Sequence, residues 1–467
     1  MKSSFAPKAT GWMGAFWFLL LVAWLQPRSA EAQELKSWWK FGLNLGLNEA
    51  GVSCKPINQP QKSGLWVSGA GGSCQGAWSE LFNQYHLRSP SSEGGAWVRF
   101  DFDLQLTLNG ERSAGTEAMK IGNRNMFLEV GQFLPRESLF WFGRRGYRWE
   151  GFWLIGMTIM NSEAPGFGVY NIDVGQGMRA SAAAFYTVSY SGGPLQTALD
   201  LRLEEISLLN GKLSLIYNAT QSGARDAAAG TQSYAPMRGS KFAIMHKAWM
   251  PSASHQFGAM YGQGLFGAMD SADFDQGPLA DSLGPWRNNE LFSASSPPEL
   301  RDAIRESSVM RIGEQFSWYP QGRSFSLDAA VGWQRAEFGG WRYVIDNMIM
   351  ERPPMQAVAA AIRPTLQLRP TLELETLLGY VSVIDGFGYR HRNSAGDLQE
   401  TIRPVDQSLC NIYFALNLKP LARWQQKFGL YTGYSFWNAA MRRDVSNGLY
   451  PDRNSGFYLG LSSYWEI

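Results

Sequence analysis

Between Val98 and Leu108 the chain alternates without a fault. Val98, Phe100, Phe102, Leu104, Leu106 and Leu108 share one parity, and Arg99, Asp101, Asp103, Gln105 and Thr107 share the other. A period of two is the signature of a strand with one apolar face. Its length is about the 9–11 residues that a tilted strand needs to cross a bilayer. The pattern recurs along the chain. Trp39, Phe41, Leu43, Leu45 and Leu47 form one early face. Leu199, Leu201 and Leu203 oppose Asp200, Arg202 and Glu204, and Leu213, Leu215 and Tyr217 run back after Asn210-Gly211, a tight-hairpin signal. The chain closes on Phe457, Leu459, Leu461, Trp465 and Ile467, with Tyr458, Gly460, Ser462, Tyr464 and Glu466 opposite. A soluble sandwich would need one core to accept all these faces. A membrane barrel needs only lipid outside it.

The connections carry a second signal. From residue 208 onward, short breaks near 209–211, 250–254, 319–323, 369–370 and 419–422 alternate with long polar ones near 219–238, 265–308, 336–355, 384–402 and 440–455. A transmembrane barrel has short turns on one side and long loops on the other. The expected fold is therefore all-β: one antiparallel transmembrane barrel, its last strand closing against the first so that no edge faces lipid. About 24 residues per strand and connection give roughly 18 strands, with 16 as the alternative. Either size leaves a lumen too wide for side chains to fill.

One stretch breaks the rhythm. Trp141 to Gly175 opens on aromatics and three arginines, Arg144, Arg145 and Arg148. It then runs through a weakly periodic apolar middle, Phe152 to Met160, and closes on Pro165-Gly166-Phe167-Gly168 and Asn171-Ile172-Asp173-Val174-Gly175. It alternates too poorly for a membrane strand and holds too many glycines for a stable helix.

Composition adds compartment. Lys2 and Lys8, the apolar run Trp12 to Leu25, and Ala30-Glu31-Ala32 read as a secretory signal cut before Gln33, leaving 33–467 as one domain. No other stretch offers the roughly 18 apolar residues of a helical span. Aromatics make up 14% of the chain, and the formal net charge is only +2, so no nucleic-acid partner is implied. Cys54 and Cys74 share a Gly/Ser/Pro-rich stretch, where export favours a disulfide over two thiols, and Cys410 stands alone. His86, His246, His255 and His391 are too scattered for a metal site. No nucleophile–base pairing suggests an enzyme, and no cofactor is expected.

Several stretches together resemble the maltoporin-type, carbohydrate-selective outer-membrane porins. They are Cys74-Gln75-Gly76-Ala77-Trp78-Ser79-Glu80-Leu81, Trp141 through Gly175, Leu199 through Ile206 with its Asn-Gly turn, Met310-Arg311-Ile312-Gly313, and Ile362-Arg363-Pro364 through Gly379-Tyr380. The resemblance implies an 18-stranded trimeric barrel with its third loop folded into the lumen. It implies facilitated diffusion of oligosaccharides and ions along a row of aromatics flanked by charges. Sugar rings stack on aromatic faces, and their hydroxyls bond carboxylates and guanidinium groups. On this likeness Trp78 and Trp424 match slide aromatics and Glu80 matches an acidic residue beside the slide. The family's constriction residues are replaced by Trp149, Gly151, Gly156 and Thr158.

Candidate pore-lining residues are therefore Trp78, Glu80, Arg99, Asp101, Asp103, Arg144, Arg145, Tyr147, Arg148, Trp149, Trp153, Asp200, Arg202 and Trp424. The arginines either line the constriction or bond to wall carboxylates, with Asp101, Asp103, Asp200 and Glu204 as expected partners. Trp149 and Trp153 either form part of the slide or anchor the loop. The expected partners are the outer-membrane bilayer, a sugar or small solute, and two further copies of the chain. The alternative is a general or anion-leaning diffusion porin on the same fold.

Overall fold

A computed structural model describes residues 32–48, 75–88, 97–109, 119–122, 125–131, 138–187, 196–222, 237–264, 305–338, 342–345, 348–351, 354–384, 388–392, 398–402, 407–419, 427–439 and 454–466. The expected signal segment, apart from Ala32, lies outside the described residues, as do Cys54, Cys74 and Trp424. Among the described residues no helix is long and apolar enough to cross a membrane.

Strands make the molecule. The first half of the wall is β1 (Ala32–Asn48), β2 (Gln75–Arg88), β3 (Trp97–Asn109), β4 (Met119–Gly122), β5 (Met126–Gly131), β6 (Leu139–Phe152), β7 (Met157–Gly175), β8 (Met178–Thr187) and β9 (Gln196–Leu208). The second half is β10 (Gly211–Ser222), β11 (Met237–Met250), β12 (Ala253–Gly264), β13 (Ser307–Trp318), β14 (Phe325–Phe338), β17 (Met355–Arg369), β18 (Leu372–Ile384), β21 (Gln407–Leu418), β22 (Lys427–Trp437) and β23 (Ser455–Glu466). Two small hairpins sit in the long connections: β15 (Arg342–Ile345) with β16 (Met348–Glu351), and β19 (Gly388–Arg392) with β20 (Leu398–Ile402).

Each wall strand pairs antiparallel with its neighbours, and β23 pairs with β1 from Lys40↔Glu466 to Asn48↔Tyr458. The ring therefore closes. The sheet has 19 strands, but β4 and β5 both lie on β3 and share one place, which leaves eighteen places around the barrel. The expected strand count, closure and polarity of connections all stand. The 209–211 turn is a small refinement: Leu209 and Asn210, with φ of 47° and 57°, occupy its two central positions, and Gly211 starts the returning strand. A pair of positive φ values is what a primed two-residue hairpin requires.

The burial alternation is inverted relative to a soluble protein. On β9, Asp200 and Arg202 are buried while Leu199 and Leu201 are about 40% exposed (41% and 40%). On β21, Asn411, Tyr413 and Ala415 are buried while Phe414, Leu416 and Leu418 are exposed. On β23, Tyr458 is buried between exposed Phe457 and Leu459. Polar inside and apolar outside is the arrangement a bilayer demands of a barrel wall.

Candidate functional site

The irregular stretch is the barrel's third loop, and it is built from two long strands. Its base belongs to the wall. β6 pairs with β5 from Leu139↔Gly131 to Arg144↔Met126, and β7 pairs with β8 up to Gly166↔Phe185. There Trp141 is fully buried and Phe142 is 58% exposed, so the base does alternate as a wall strand, contrary to the sequence reading. Beyond Arg145 the two strands leave the wall as a hairpin, with register shifts between Tyr147 and Gly151, and turn through the 3-10 element Trp153–Ile155. Gly156, at φ 60°, ends that turn in the left-handed region that glycine adopts freely.

The hairpin crosses the lumen. Phe152, Leu154, Ile155, Met157, Ile159 and Met160 have no exposed surface, and they pack on the inner faces of β10 to β18. Burial of such side chains contributes about 1.5–3 kcal/mol each. That is enough to hold the hairpin against the wall rather than in water. The wall makes room for it with a row of small residues: Gly258 pairs with Gly313, Gly313 with Gly332, and Gly332 with Ala359. A Cβ on Gly313 would meet Phe152 Cε2 at 2.5 Å, and one on Gly332 would meet Ile155 Cδ1 at 2.6 Å. Polar bonds hold the hairpin flanks. Lys247 Nζ donates to Glu150 Oε2 at 2.6 Å, Gln256 Nε2 to the Gly151 carbonyl at 3.2 Å, and Arg311 Nη1 to the Thr158 carbonyl at 2.6 Å.

Two charged clusters flank the passage that remains. At the hairpin base, Glu129 accepts from Arg99 at 3.0 Å, from Arg145 at 3.0 Å, and from the Tyr170 hydroxyl. Arg99 also bonds Asp101 at 2.9 Å. The Arg145 guanidinium lies 4.5 Å from the Phe127 ring centre and 4.9 Å from that of Tyr170, in cation–π range. At the hairpin tip, Arg363 bonds Asp328 at 2.7 Å and stands 4.2 Å over the Trp153 ring. Glu375 lies 3.8 Å from Arg363 and 3.1 Å from Lys427, and Glu373 takes Lys419 at 2.6 Å. Trp153 is 36% exposed, whereas its neighbours on the hairpin are sealed.

Of the sequence candidates, Arg99, Asp101, Asp103, Arg145, Trp153, Asp200 and Arg202 lie on the inner side. For Arg145 the ion partner differs from those expected. Arg145 bonds Glu129, Asp200 bonds Arg202 at 2.8 Å, and Asp103 accepts from the Asn125 amide groups at 2.7 Å. Arg144 is also a correction: its register partners are Met126 and Pro165, on the face of exposed Phe142, opposite to Arg145. Alternation splits what looks in the sequence like one arginine cluster. Trp78 and Glu80 sit on β2 and Tyr147, Arg148 and Trp149 on β6, but their side chains lie outside the described residues. Sequence reading missed Glu129, Tyr170, Lys247 and the glycine row, and left Arg363 without a role. Arg363 stood in a quoted motif beside Pro364, and that was its one available signal.

The LamB porin family model matches residues 72–462. No curated protein matches the chain. Among solved structures the chain is similar to Acinetobacter baumannii OccAB1, at 8% identity over 95% of this chain and 99% of that one, with a TM-score of 0.49. It is similar to Pseudomonas aeruginosa OccD3 (OpdP), at 10% identity over 94% and 93%, with a TM-score of 0.46. It is also similar to the trimer form of OmpT from Vibrio cholerae, at 9% identity over 93% and 99%, with a TM-score of 0.36.

Proposed function

Since the chain belongs to the LamB porin family and is an outer-membrane channel, we propose that it passes oligosaccharides of the maltodextrin kind, with ions, by facilitated diffusion. The observation that carries this reading is the tip of the hairpin. Trp153 offers an exposed indole at the narrowed part of the lumen, beside a guanidinium and two carboxylates, Arg363, Asp328 and Glu375. An aromatic face takes the apolar face of a sugar ring, and the flanking charges take its hydroxyls. A series of weak contacts favours transit over retention.

Charge balance weighs against an anion-leaning pore. In the tip cluster Arg363, Lys419 and Lys427 face Asp328, Glu373 and Glu375, and at the base Arg99 and Arg145 face Asp101 and Glu129. Paired charges of both signs suit an uncharged polyhydroxyl solute better than an anion.

The same proposal takes residues 1–32 as an export signal, 33–467 as a single porin domain, Cys54 and Cys74 as a loop disulfide, and a homotrimer as the assembly. The test is conductance in planar bilayers, titrated with maltodextrins and then with other oligosaccharides. Saturable current block is the expected result. Ohmic conductance indifferent to every sugar returns the function to a general diffusion pore.

A further inference from the structure

We propose that the outer face of the barrel, away from the lumen, carries a groove for a phosphorylated, multiply acylated lipid of the outer leaflet. A cavity of about 1220 Å³ lies across the upper ends of β7 to β12. Those ends lead into the long connections 223–236 and 265–304, which are the external side of a barrel of this kind. The cavity opens toward lipid, because most of its apolar residues have the outward parity; Phe185 and Ala198, of inward parity, are the exceptions. Phe167, Leu199 and Tyr217 are exposed, while Asp200 and Asn218 beside them are buried on the inner side.

The groove has two chemically different ends. Phe167, Leu199 and Tyr217 form apolar walls around Ala219, whose small side chain leaves the floor open. Arg238, exposed, stands at the external edge of the groove, with Arg305 beside it. The gradient runs in the direction of a lipid lying in the outer leaflet. Acyl chains meet rings and aliphatic side chains, and a headgroup phosphate meets guanidinium groups, whose planar fork suits phosphate oxygens. A free anion would use only the arginine end and leave the apolar walls of the groove in contact with bulk lipid. The apolar walls therefore commit the site to a lipid.

The experiment uses the full-length protein in detergent micelles, with bound lipid counted by native mass spectrometry. The probes are bis-phosphorylated lipid A, its dephosphorylated form and dioleoyl phosphatidylcholine, each with and without inorganic phosphate. The unsubstituted chain is expected to hold the bis-phosphorylated form about tenfold more tightly than either control, with inorganic phosphate competing poorly. Arg238→Glu and Ala219→Trp, one at each end of the groove, are each expected to remove that preference. Arg335→Glu, which alters an arginine paired with Glu337 at 2.7 Å on another part of the wall, is expected to keep it. Unit conductance of each variant in planar bilayers reports whether the barrel has folded. Equal loss in Arg335→Glu would show a general basic rim and overturn the proposal, as would full displacement by inorganic phosphate. Folded, conducting Arg238→Glu and Ala219→Trp variants that retain the preference would overturn it as well.

Discussion

Phe152, at the inner end of β6, lies over Gly313 on β13 so closely that a Cβ on that glycine would stand 2.5 Å from the ring. The two residues are 161 positions apart in the chain, and their contact fixes where the third loop crosses the lumen. Gly332 and Gly258 extend the same seat under Met157, Ile155 and Ile159. The hairpin is thus a fixed wall of the channel. Its apolar tip is sealed, its flanks are bonded, and among the described residues of the tip only Trp153 is exposed.

Gly313→Val is expected to unseat Phe152. Overpacking a well-filled site costs about 1–3 kcal/mol, and among the described residues the wall ladder stops at Arg144 and Gly166, so side-chain packing holds the hairpin beyond them. Single-channel conductance should rise and become noisier while the barrel still assembles. A variant with unchanged conductance would mean that the hairpin does not narrow the pore.

Lys247→Met removes the ammonium that Glu150 accepts from at 2.6 Å. The lysine side chain is 36% exposed, so the loss should be nearer 1 kcal/mol than the several kcal/mol of a fully buried pair. Open-channel noise should increase. The double variant Lys247→Met with Glu150→Gln should be quieter than Lys247→Met alone, because no unpaired carboxylate remains. Equal noise in the two would show that the pair does not hold the hairpin.

Glu129→Gln breaks a centre that serves Arg99, Arg145 and Tyr170 together. The Glu129 side chain is 1% exposed and that of Arg145 is 18% exposed. Arg145 would then face a neutral acceptor while Arg99 keeps Asp101, at a cost of about 3 kcal/mol. The denaturation temperature of the detergent-solubilised protein should fall, and ion selectivity should shift toward anions. Reversal potentials across a salt gradient measure the shift, and an ion selectivity unchanged from the parent would contradict it.

The sequence was most informative where the physics is local. Period-two patterning placed Leu199 and Leu201 outward and Asp200 and Arg202 inward, because a bilayer on one side and water on the other leave no other choice. The same rule, applied inside Arg144-Arg145, separates the two arginines, but the eye reads them as a cluster. What stayed hidden depends on closure. Lys247 and Glu150 lie 97 positions apart, and Arg311 and Thr158 lie 153 apart. The glycine row exists only once β12, β13 and β14 are in register. No short-range pattern encodes such contacts. The placing of both β4 and β5 against β3 was also invisible, because Met126 to Val130 still alternates as a strand.

The central claim is that the exposed ring of Trp153 is a sugar contact at the narrowed part of the channel. Current block by maltohexaose, measured on single channels for the unsubstituted chain and for Trp153→Ala, tests it most directly. Loss of one aromatic stack is worth about 0.5–1.5 kcal/mol, so block should saturate in the unsubstituted chain and need roughly two- to tenfold more sugar in the variant. Ion conductance should be unchanged or slightly raised. Identical block in both channels, or none in either, would contradict the account.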